Sequence, residues 1–339
     1  MPCYHPLQGY RSKADGKSIV FNPAYGWIDR PITIPCGQCI GCRLKRSREW
    51  AMRCVHESQL HEDNTFITLT YRNENLPEDR SLHKEDFQNF MKRLRKEFVP
   101  KNPYNKKTQK KQWNAFMKKH GIRYYHCGEY GESCKNCGQN KRACESSTKC
   151  WDPTFGRPHY HAILFGIDFE DKKFHSTSNG LPLYTSKKLD DIWGLGYASI
   201  GDVTFDSAAY VARYVMKKVN GKDKENHYQR VDYSSGEIIN PLEPEYTTMS
   251  RRPGIAADWF DKYKDDVFPS DDIHINGKTF KPPKFYDKMF TDLEPLLMDK
   301  IKERRMIEMQ KHRDDNTPER LLSKEKVKQA QLNKLVRNL

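Results

Sequence analysis

The sequence predicts an α+β protein whose core is a mostly antiparallel sheet carrying helices. Three observations point there. Between about residues 60 and 220 the chain reads strand, helix, strand, strand, strand, helix, an order that places helices on an antiparallel sheet. Thr65-Phe66-Ile67-Thr68-Leu69-Thr70-Tyr71 alternates with period two, as a half-buried strand does. Arg157-Pro158-His159-Tyr160-His161-Ala162-Ile163-Leu164-Phe165-Gly166 is an apolar strand between glycines at 156 and 166, opened by a proline that suits a strand start and is wrong for a central strand.

The elements follow in order. Residues 1–35 are turn-rich, with strand-like pieces such as Ser18-Ile19-Val20-Phe21. Cys36-Gly37-Gln38-Cys39-Ile40-Gly41-Cys42 leads into a basic helical stretch from Arg43 to about Leu60. After the Thr65–Tyr71 strand comes a helix from about Lys84 to Phe98, with Ser81 as its expected cap. Ile122–Cys127 reads as the next strand and runs into Gly128-Glu129-Tyr130-Gly131. A cysteine-rich insert at 132–156 separates it from the His-Tyr-His strand. Leu189–Trp193 suits a short helix, Tyr197–Ile200 with Val203 a strand, and Ser207–Val219 a longer helix. Residues 221–256 are polar and turn-rich, and the last forty residues alternate charges without an apolar face, as in a solvated helix or partial disorder. Three regions are expected: a cysteine-containing segment at 1–60, a compact α+β domain at 61–220 that carries the insert at 132–156, and a charged, largely helical region at 221–339.

Composition narrows the function. The 339 residues carry a net charge of +14, with a pI near 9.2 and a mean hydropathy of -0.92. Such a chain favours polyanions, nucleic acid first among them, although a solvated lysine-rich surface explains the charge equally well. No apolar run is long enough to cross a bilayer and Met1-Pro2-Cys3-Tyr4-His5 opens no signal peptide, so no membrane partner is expected. Ten cysteines in such a chain read as thiols or metal ligands in a reducing cytoplasm.

Two motifs carry the chemistry. A strand points residues i and i+2 the same way, so His159 and His161 can grip one ion. Glu129, at the end of the preceding strand, can reach the same ion, with Glu132 as runner-up because the insert lengthens the connection. Two imidazoles and a carboxylate leave positions open on Mg²⁺ or Mn²⁺ for phosphate oxygens. A satisfied core pair is the plain alternative. A helix stacks residues i and i+4, so Tyr210 and Tyr214 aim at one spot. An aromatic core stripe is the commoner meaning of that spacing, but Lys217 and Lys218 continue it with charge that a buried face does not tolerate. A phenol with a pKa near 10 needs such help to act as a nucleophile.

Other motifs are accessory. Cys134, Cys137, Cys144 and Cys150 have zinc-knuckle-like spacing, with free thiols as the alternative. Cys36, Cys39 and Cys42 form a three-thiol cluster for zinc, with Cys54, Cys3 or His56 as a possible fourth ligand. The iron–sulfur spacing fails because residue 46 is Arg. Gly277-Lys278-Thr279 and Gly16-Lys17-Ser18 lack the upstream glycine of a phosphate-binding loop, having Asp272 and Arg11 there, so no ATPase motor is expected. From Met91 to Lys119 there are eleven Lys/Arg and one acidic residue, interleaved with aromatics. Lys92, Arg93, Lys110, Lys111 and Trp113 are therefore candidate DNA contacts, against the alternative of a solvated helix face.

The His-Tyr-His strand and the Tyr210-Val211-Ala212-Arg213-Tyr214-Val215-Met216-Lys217-Lys218 helix resemble motifs of the HUH endonucleases, the rolling-circle initiators, relaxases and related transposases. With Thr65–Tyr71, Pro35-Cys36-Gly37-Gln38-Cys39 and Gly128-Glu129-Tyr130-Gly131, residues 30–220 resemble the gokushovirus-type replication initiators of microviruses. The resemblance implies a ferredoxin-like HUH fold that nicks the origin of a circular DNA through a 5′-phosphotyrosine. It also implies rejoining of the displaced strand in the cytoplasm of a bacterial host, with host helicase and DNA polymerase as partners. A non-catalytic zinc-dependent DNA-binding regulator and a transposase or relaxase of the same chemistry are the rival expectations.

Overall fold

The computed structural model describes residues 3–131, 156–178, 180–213, 228, 230–231, 238–239 and 241–334. In chain order its strands are β1 Leu7–Ser12, β2 Ile19–Val20, β3 Gly26–Ile34, β4 Asn64–Tyr71, β5 Arg123–Tyr130, β6 Pro158–Phe165, β7 Lys173–Ser178, β8 Leu181–Thr185, β9 Gly196–Gly201, β10 Arg230–Val231, β11 Ile238–Ile239, β12 Tyr246–Met249, β13 Ile273–Ile275 and β14 Lys278–Phe280. The helices are α1 Ile40–Ser58, α2 Lys84–Phe98, α3 Lys110–His120, α4 Lys187–Trp193, α5 Phe205–Arg213, α6 Ala257–Val267, α7 Lys284–Leu293, α8 Pro295–Gln310 and α9 Pro318–Asn333. The chain forms two compact units, Trp50–Tyr263 and the pair of segments Met1–Glu49 and Lys264–Asn338.

The 50–263 unit is built on a seven-stranded sheet in the order β12-β5-β6-β4-β9-β8-β7, with every neighbouring pair antiparallel. This is the expected α+β architecture. Side chains alternate between its faces. The back face packs Ile67, Leu69, Tyr160, Ala162, Leu164, Ala198 and Ile200 against Phe87, Phe90, Met91 and Leu94 of α2 and Leu189 and Trp193 of α4. Each fully buried side chain of this kind contributes about 1.5–3 kcal/mol. Trp193 also donates its indole N–H to the Thr70 carbonyl at 2.9 Å, locking α4 to β4. The front face carries α1 from Trp50 onward, whose indole packs 5.0 Å from the Tyr125 ring, and α5.

Three expectations need correction. Ser81 does not cap α2. His83 is the cap residue, without a side-chain hydrogen bond, and Ser81 Oγ accepts the Glu243 N–H at 2.8 Å instead. Pro158 does open a central strand; it is the first residue of β6, opposite Tyr130, where a missing N–H interrupts no ladder further along. Residues 246–249 lie in a stretch read as turns, yet they form the edge strand beside β5. Tyr246-Thr247-Thr248-Met249 is too short for its alternation to stand out.

The other unit has its own sheet, β2-β1-β3, and the β13-β14 hairpin. Arg305 of α8 bonds Asp271 at 2.9 Å and Asp287 of α7 at 2.8 Å, tying α8 to two neighbours. The chain's final forty residues are helical over α9, capped by Thr317 with Pro318 in the first turn. Leu321 is the buried residue of that helix among the described residues. No helix among the described residues is long and apolar enough to cross a membrane.

Candidate functional site

The antiparallel register sets the site out in rows across the front face. Glu129 of β5 lies opposite His159 of β6, His159 opposite Thr70 of β4, and Thr70 opposite Tyr197 of β9. The next row is Cys127, His161, Thr68 and Ser199. Because opposed residues share a face, β-sheet pairing brings Glu129 to two histidines 30 and 32 residues on in sequence. Glu129 Oε1 lies 2.8 Å from His159 Nε2 and 2.9 Å from His161 Nε2. Glu129 is 1% exposed and His161 4%, whereas His159 is half-buried and opens toward solvent.

The far nitrogens orient the rings. His159 Nδ1 lies 3.1 Å from the Arg157 carbonyl, which only accepts, so Nδ1 carries the hydrogen. In the neutral ring Nε2 then presents a lone pair to the carboxylate oxygen. Two lone pairs at 2.8 Å repel unless a cation joins them, either a proton or a metal ion. His161 Nδ1 meets Thr68 Oγ1 at 2.8 Å. Burial alone would raise the Glu129 carboxyl, but hydrogen bonds and charge from the two imidazoles outweigh it and hold the group well below the usual carboxylate range. The donor set is one carboxylate and two oriented imidazoles, with all donor atoms within 4.8 Å of one another. It fits a divalent cation with positions left open.

Tyr210 stands over this cluster. Its ring centroid is 5.1 Å from that of His161, edge to face, and 6.4 Å from that of Phe66. α5 is started by Thr204 and Ser207, which bond each other's backbone N–H groups at 2.8 and 3.1 Å, a reciprocal cap. Tyr214, Lys217 and Lys218 lie outside the described residues, as do Glu132 and Cys134, Cys137, Cys144 and Cys150 of the insert. Tyr160, between the two histidines, points to the back face. It is fully buried, and its hydroxyl lies 2.8 Å from both Tyr71 Oη and the His83 carbonyl. Burial pushes its phenol up out of the range of a nucleophile.

The candidate DNA contacts sit elsewhere. Lys92 and Arg93 are on α2, over the opposite face of the sheet. Arg93 caps α4 through the carbonyls of Ile192 and Trp193 at 2.6 and 2.7 Å. Lys92 is exposed and bonds Asn89 at 3.1 Å. Lys110, Lys111 and half-buried Trp113 are on α3, which ends just before β5 begins, about 20 Å along that strand from Glu129. Two groups beside the cluster went unnoticed in the sequence. Tyr197, 60% exposed, shares the row of Glu129 and His159, about 10 Å from His159 at two strand spacings. The Arg72 guanidinium lies 4.9 Å over its ring. Arg157 leads into β6 and donates to the Tyr71 carbonyl at 2.8 Å and to Asn73. The exposed front-face position of Tyr197 in an alternating strand was the available signal.

Four other thiols converge. Cys3 joins Cys36, Cys39 and Cys42, with all four sulfurs within 4.8 Å of one another. Cys54 and His56, the other possible fourth ligands, are buried in the 50–263 unit, where His56 stacks on Trp259 at 3.6 Å.

Residues 64–137 and 151–219 match the family model "Replication-associated protein ORF2/G2P". The chain is similar to the replication-associated protein VP4 of Bdellovibrio phage phiMH2K, with 32% identity covering 93% of this chain and 87% of that protein. It is also similar to the replication-associated protein ORF2 of Spiroplasma virus 4, with 28% identity over 90% of this chain and 86% of that protein. A third relative, ORF4 of Chlamydia phage 1, is 28% identical over 77% of this chain and 54% of its own length. No solved structure matches the chain.

Proposed function

Because this chain belongs to the family of microvirus-type phage replication-associated proteins, we propose that it starts phage DNA replication by nicking single-stranded origin DNA and later rejoining the displaced strand. One observation carries this reading. Glu129 Oε1 converges on the Nε2 atoms of His159 and His161 at 2.8 and 2.9 Å, with the Tyr210 ring beside His161.

In this scheme Glu129, His159 and His161 would hold Mg²⁺ or Mn²⁺, which would supply Lewis-acid polarisation of the scissile phosphate. Tyr210 attacks phosphorus through its phenol oxygen, with Tyr214, four residues on in the sequence, as the second phenol. The phenol proton passes to solvent, the P–O3′ bond breaks, and the 3′-oxygen takes up a proton to become the primer. The 5′ end stays on the tyrosine as a phosphodiester, so joining needs no ATP. Lys217 and Lys218 offset the charge that develops on the phosphoryl oxygens. A second cut by the other tyrosine, followed by attack of the freed 3′-OH on the first phosphotyrosine, closes a circle.

Tyr197 with Arg72 above it suits a base-stacking platform for the strand entering this site, and Arg157 suits a phosphate contact. Lys92, Arg93, Lys110, Lys111 and Trp113 are left to contact DNA away from the cut. Helicase and polymerase come from the bacterial host, in whose cytoplasm the protein acts. The test is to incubate the protein with a single-stranded origin oligonucleotide and Mn²⁺ and resolve the products under denaturing conditions. A covalent protein–DNA adduct that depends on the metal is expected. Binding without an adduct overturns the reading in favour of a non-catalytic DNA-binding protein.

A further inference from the structure

We propose that Cys3, Cys36, Cys39 and Cys42 bind one structural Zn²⁺ as a closed four-thiolate site. Zinc held by four thiolates at about 2.3 Å sets its sulfurs about 3.8 Å apart along the edges of a tetrahedron. Cys3 Sγ lies 3.5 Å from Cys36 Sγ and 3.8 Å from Cys39 Sγ. All four thiols are free, and these separations are far longer than the roughly 2.05 Å of a disulfide. They also leave room for a single ion only, whereas a polynuclear iron–sulfur cluster separates its thiolates by the width of the cluster.

The backbone treats these sulfurs as anions. The Cys36 N–H points at Cys3 Sγ at 3.2 Å, and the Tyr4 N–H at Cys39 Sγ at 3.3 Å. The Gln38 and Cys39 N–H groups both point at Cys36 Sγ, at 3.5 and 3.3 Å. Gly37, at φ +75°, makes the tight turn that aims that pair. Cys39 precedes the 19-residue α1 and Cys42 lies in its first turn, where the N-terminal dipole favours thiolate. Four thiolates gathered this closely repel unless a cation lies among them. Among the described residues, no His, Asp or Glu joins the four donors, so nothing opens the site to catalysis, and an S4 set selects zinc over the hard cations of phosphate chemistry.

The site also accounts for how Tyr4 is held beside α9. Tyr4 and Leu321 of α9 are each 5% exposed, and the apolar cluster around them consists of little besides Cys39 and partly buried neighbours. That is a small core for holding this segment and a helix, and a metal bond supplies what packing does not.

The test uses the full-length protein, alkylated in its native state with iodoacetamide and mapped residue by residue by mass spectrometry. Elemental analysis runs in parallel. Residue-level mapping keeps the insert cysteines from confusing the result. Cys3, Cys36, Cys39 and Cys42 should resist alkylation as isolated, and all four should react together once a strong chelator has removed the zinc. Cys54 and Cys127 should stay protected. Cys39→Ser should lower zinc by one equivalent per chain. Cys3→Ser should release its zinc at a chelator concentration at least about tenfold lower, since loss of even an outer partner typically weakens metal binding 10–100-fold. If Cys39→Ser misfolds, the wild-type protection pattern still decides. Protection that persists after zinc removal, alkylation of the four thiols in the zinc-loaded protein, iron in place of zinc, or full retention in Cys3→Ser would each overturn the proposal.

Discussion

Thr68 Oγ1 lies 2.8 Å from His161 Nδ1 across the β4–β6 pair, so a residue on one strand orients a ring on the next. Thr68→Val keeps the shape of the side chain and removes the hydroxyl. It should raise the Mn²⁺ concentration needed for half-maximal nicking by roughly 10–100-fold, and Thr68→Ser should restore it. An unchanged metal requirement in Thr68→Val would show that packing alone orients His161.

His159→Ala, His161→Ala and Glu129→Gln should each abolish adduct formation with oligonucleotide DNA and leave most of the affinity, because phosphate contacts from Lys and Arg dominate binding. Binding and cleavage measured on the same preparations separate the two effects. Wild-type nicking by a double His variant would remove the metal assignment.

Tyr210→Phe and Tyr214→Phe should each retain some single nicking, since the i,i+4 spacing read from the sequence lets either phenol serve in place of the other. The double Phe variant should form no adduct. Neither single variant should release closed single-stranded circles, because the second cut has to occur while the first tyrosine is occupied. Circle release at the wild-type rate by either one would replace this scheme with a one-tyrosine mechanism.

Tyr197→Ala should weaken single-stranded DNA binding by about 1–3 kcal/mol, the value of one base stacked on an aromatic ring, with Tyr197→Phe close to wild type. Fluorescence anisotropy with a labelled oligonucleotide reads the difference. Equal affinity for all three proteins would leave Tyr197 an exposed ring that merely carries Arg72.

Glu57, 2% exposed, accepts from Arg123, from the Ala256 N–H and from His61 at 3.3 Å. Burial alone would raise its carboxyl, but these bonds and the Arg123 charge hold it below the usual carboxylate range. A lowered folded-state pKa means that the stabilisation is complete above the unfolded value of 4.5 and is lost as pH falls through the lower, folded one. Urea midpoints of the wild type should therefore drop below about pH 4.5, and Glu57→Gln should show a flatter profile. At neutral pH that variant should lose about 3–5 kcal/mol, the usual effect of breaking a buried ion pair.

Local periodicity made much of the site legible. His159 and His161 share a face because strands alternate, and Tyr210 could be singled out because it opens an i,i+4 tyrosine pair. Glu129 was legible as a third ligand from its place at the end of a strand, with Glu132 as runner-up, but its contact geometry was not. Its oxygen meets both imidazoles because β5 and β6 pair Glu129 with His159, a register that one residue of slip would turn to the opposite face. Tyr197 went unnoticed for the same reason: its place in the row depends on β9 pairing with β4.

By itself the sequence determined the α+β class, the sign of the charge, the paired imidazoles and phenols and the cysteine spacing. Each of these is a property of residues within a few positions of one another, where backbone geometry leaves little choice. Only the tertiary structure decided which distant groups complete them. Cys3, 33 residues before Cys36, closes the thiol cluster, while Cys54, twelve residues past Cys42 on the same helix, is carried about 18 Å along its axis and out of reach. Arg93, a candidate DNA contact in a basic run, also binds through its guanidinium the carbonyls that end α4. Charge and spacing are written in the chain, but which partner a long side chain meets follows from how sheet and helices pack, and that is a long-range choice set by burying the whole core at once.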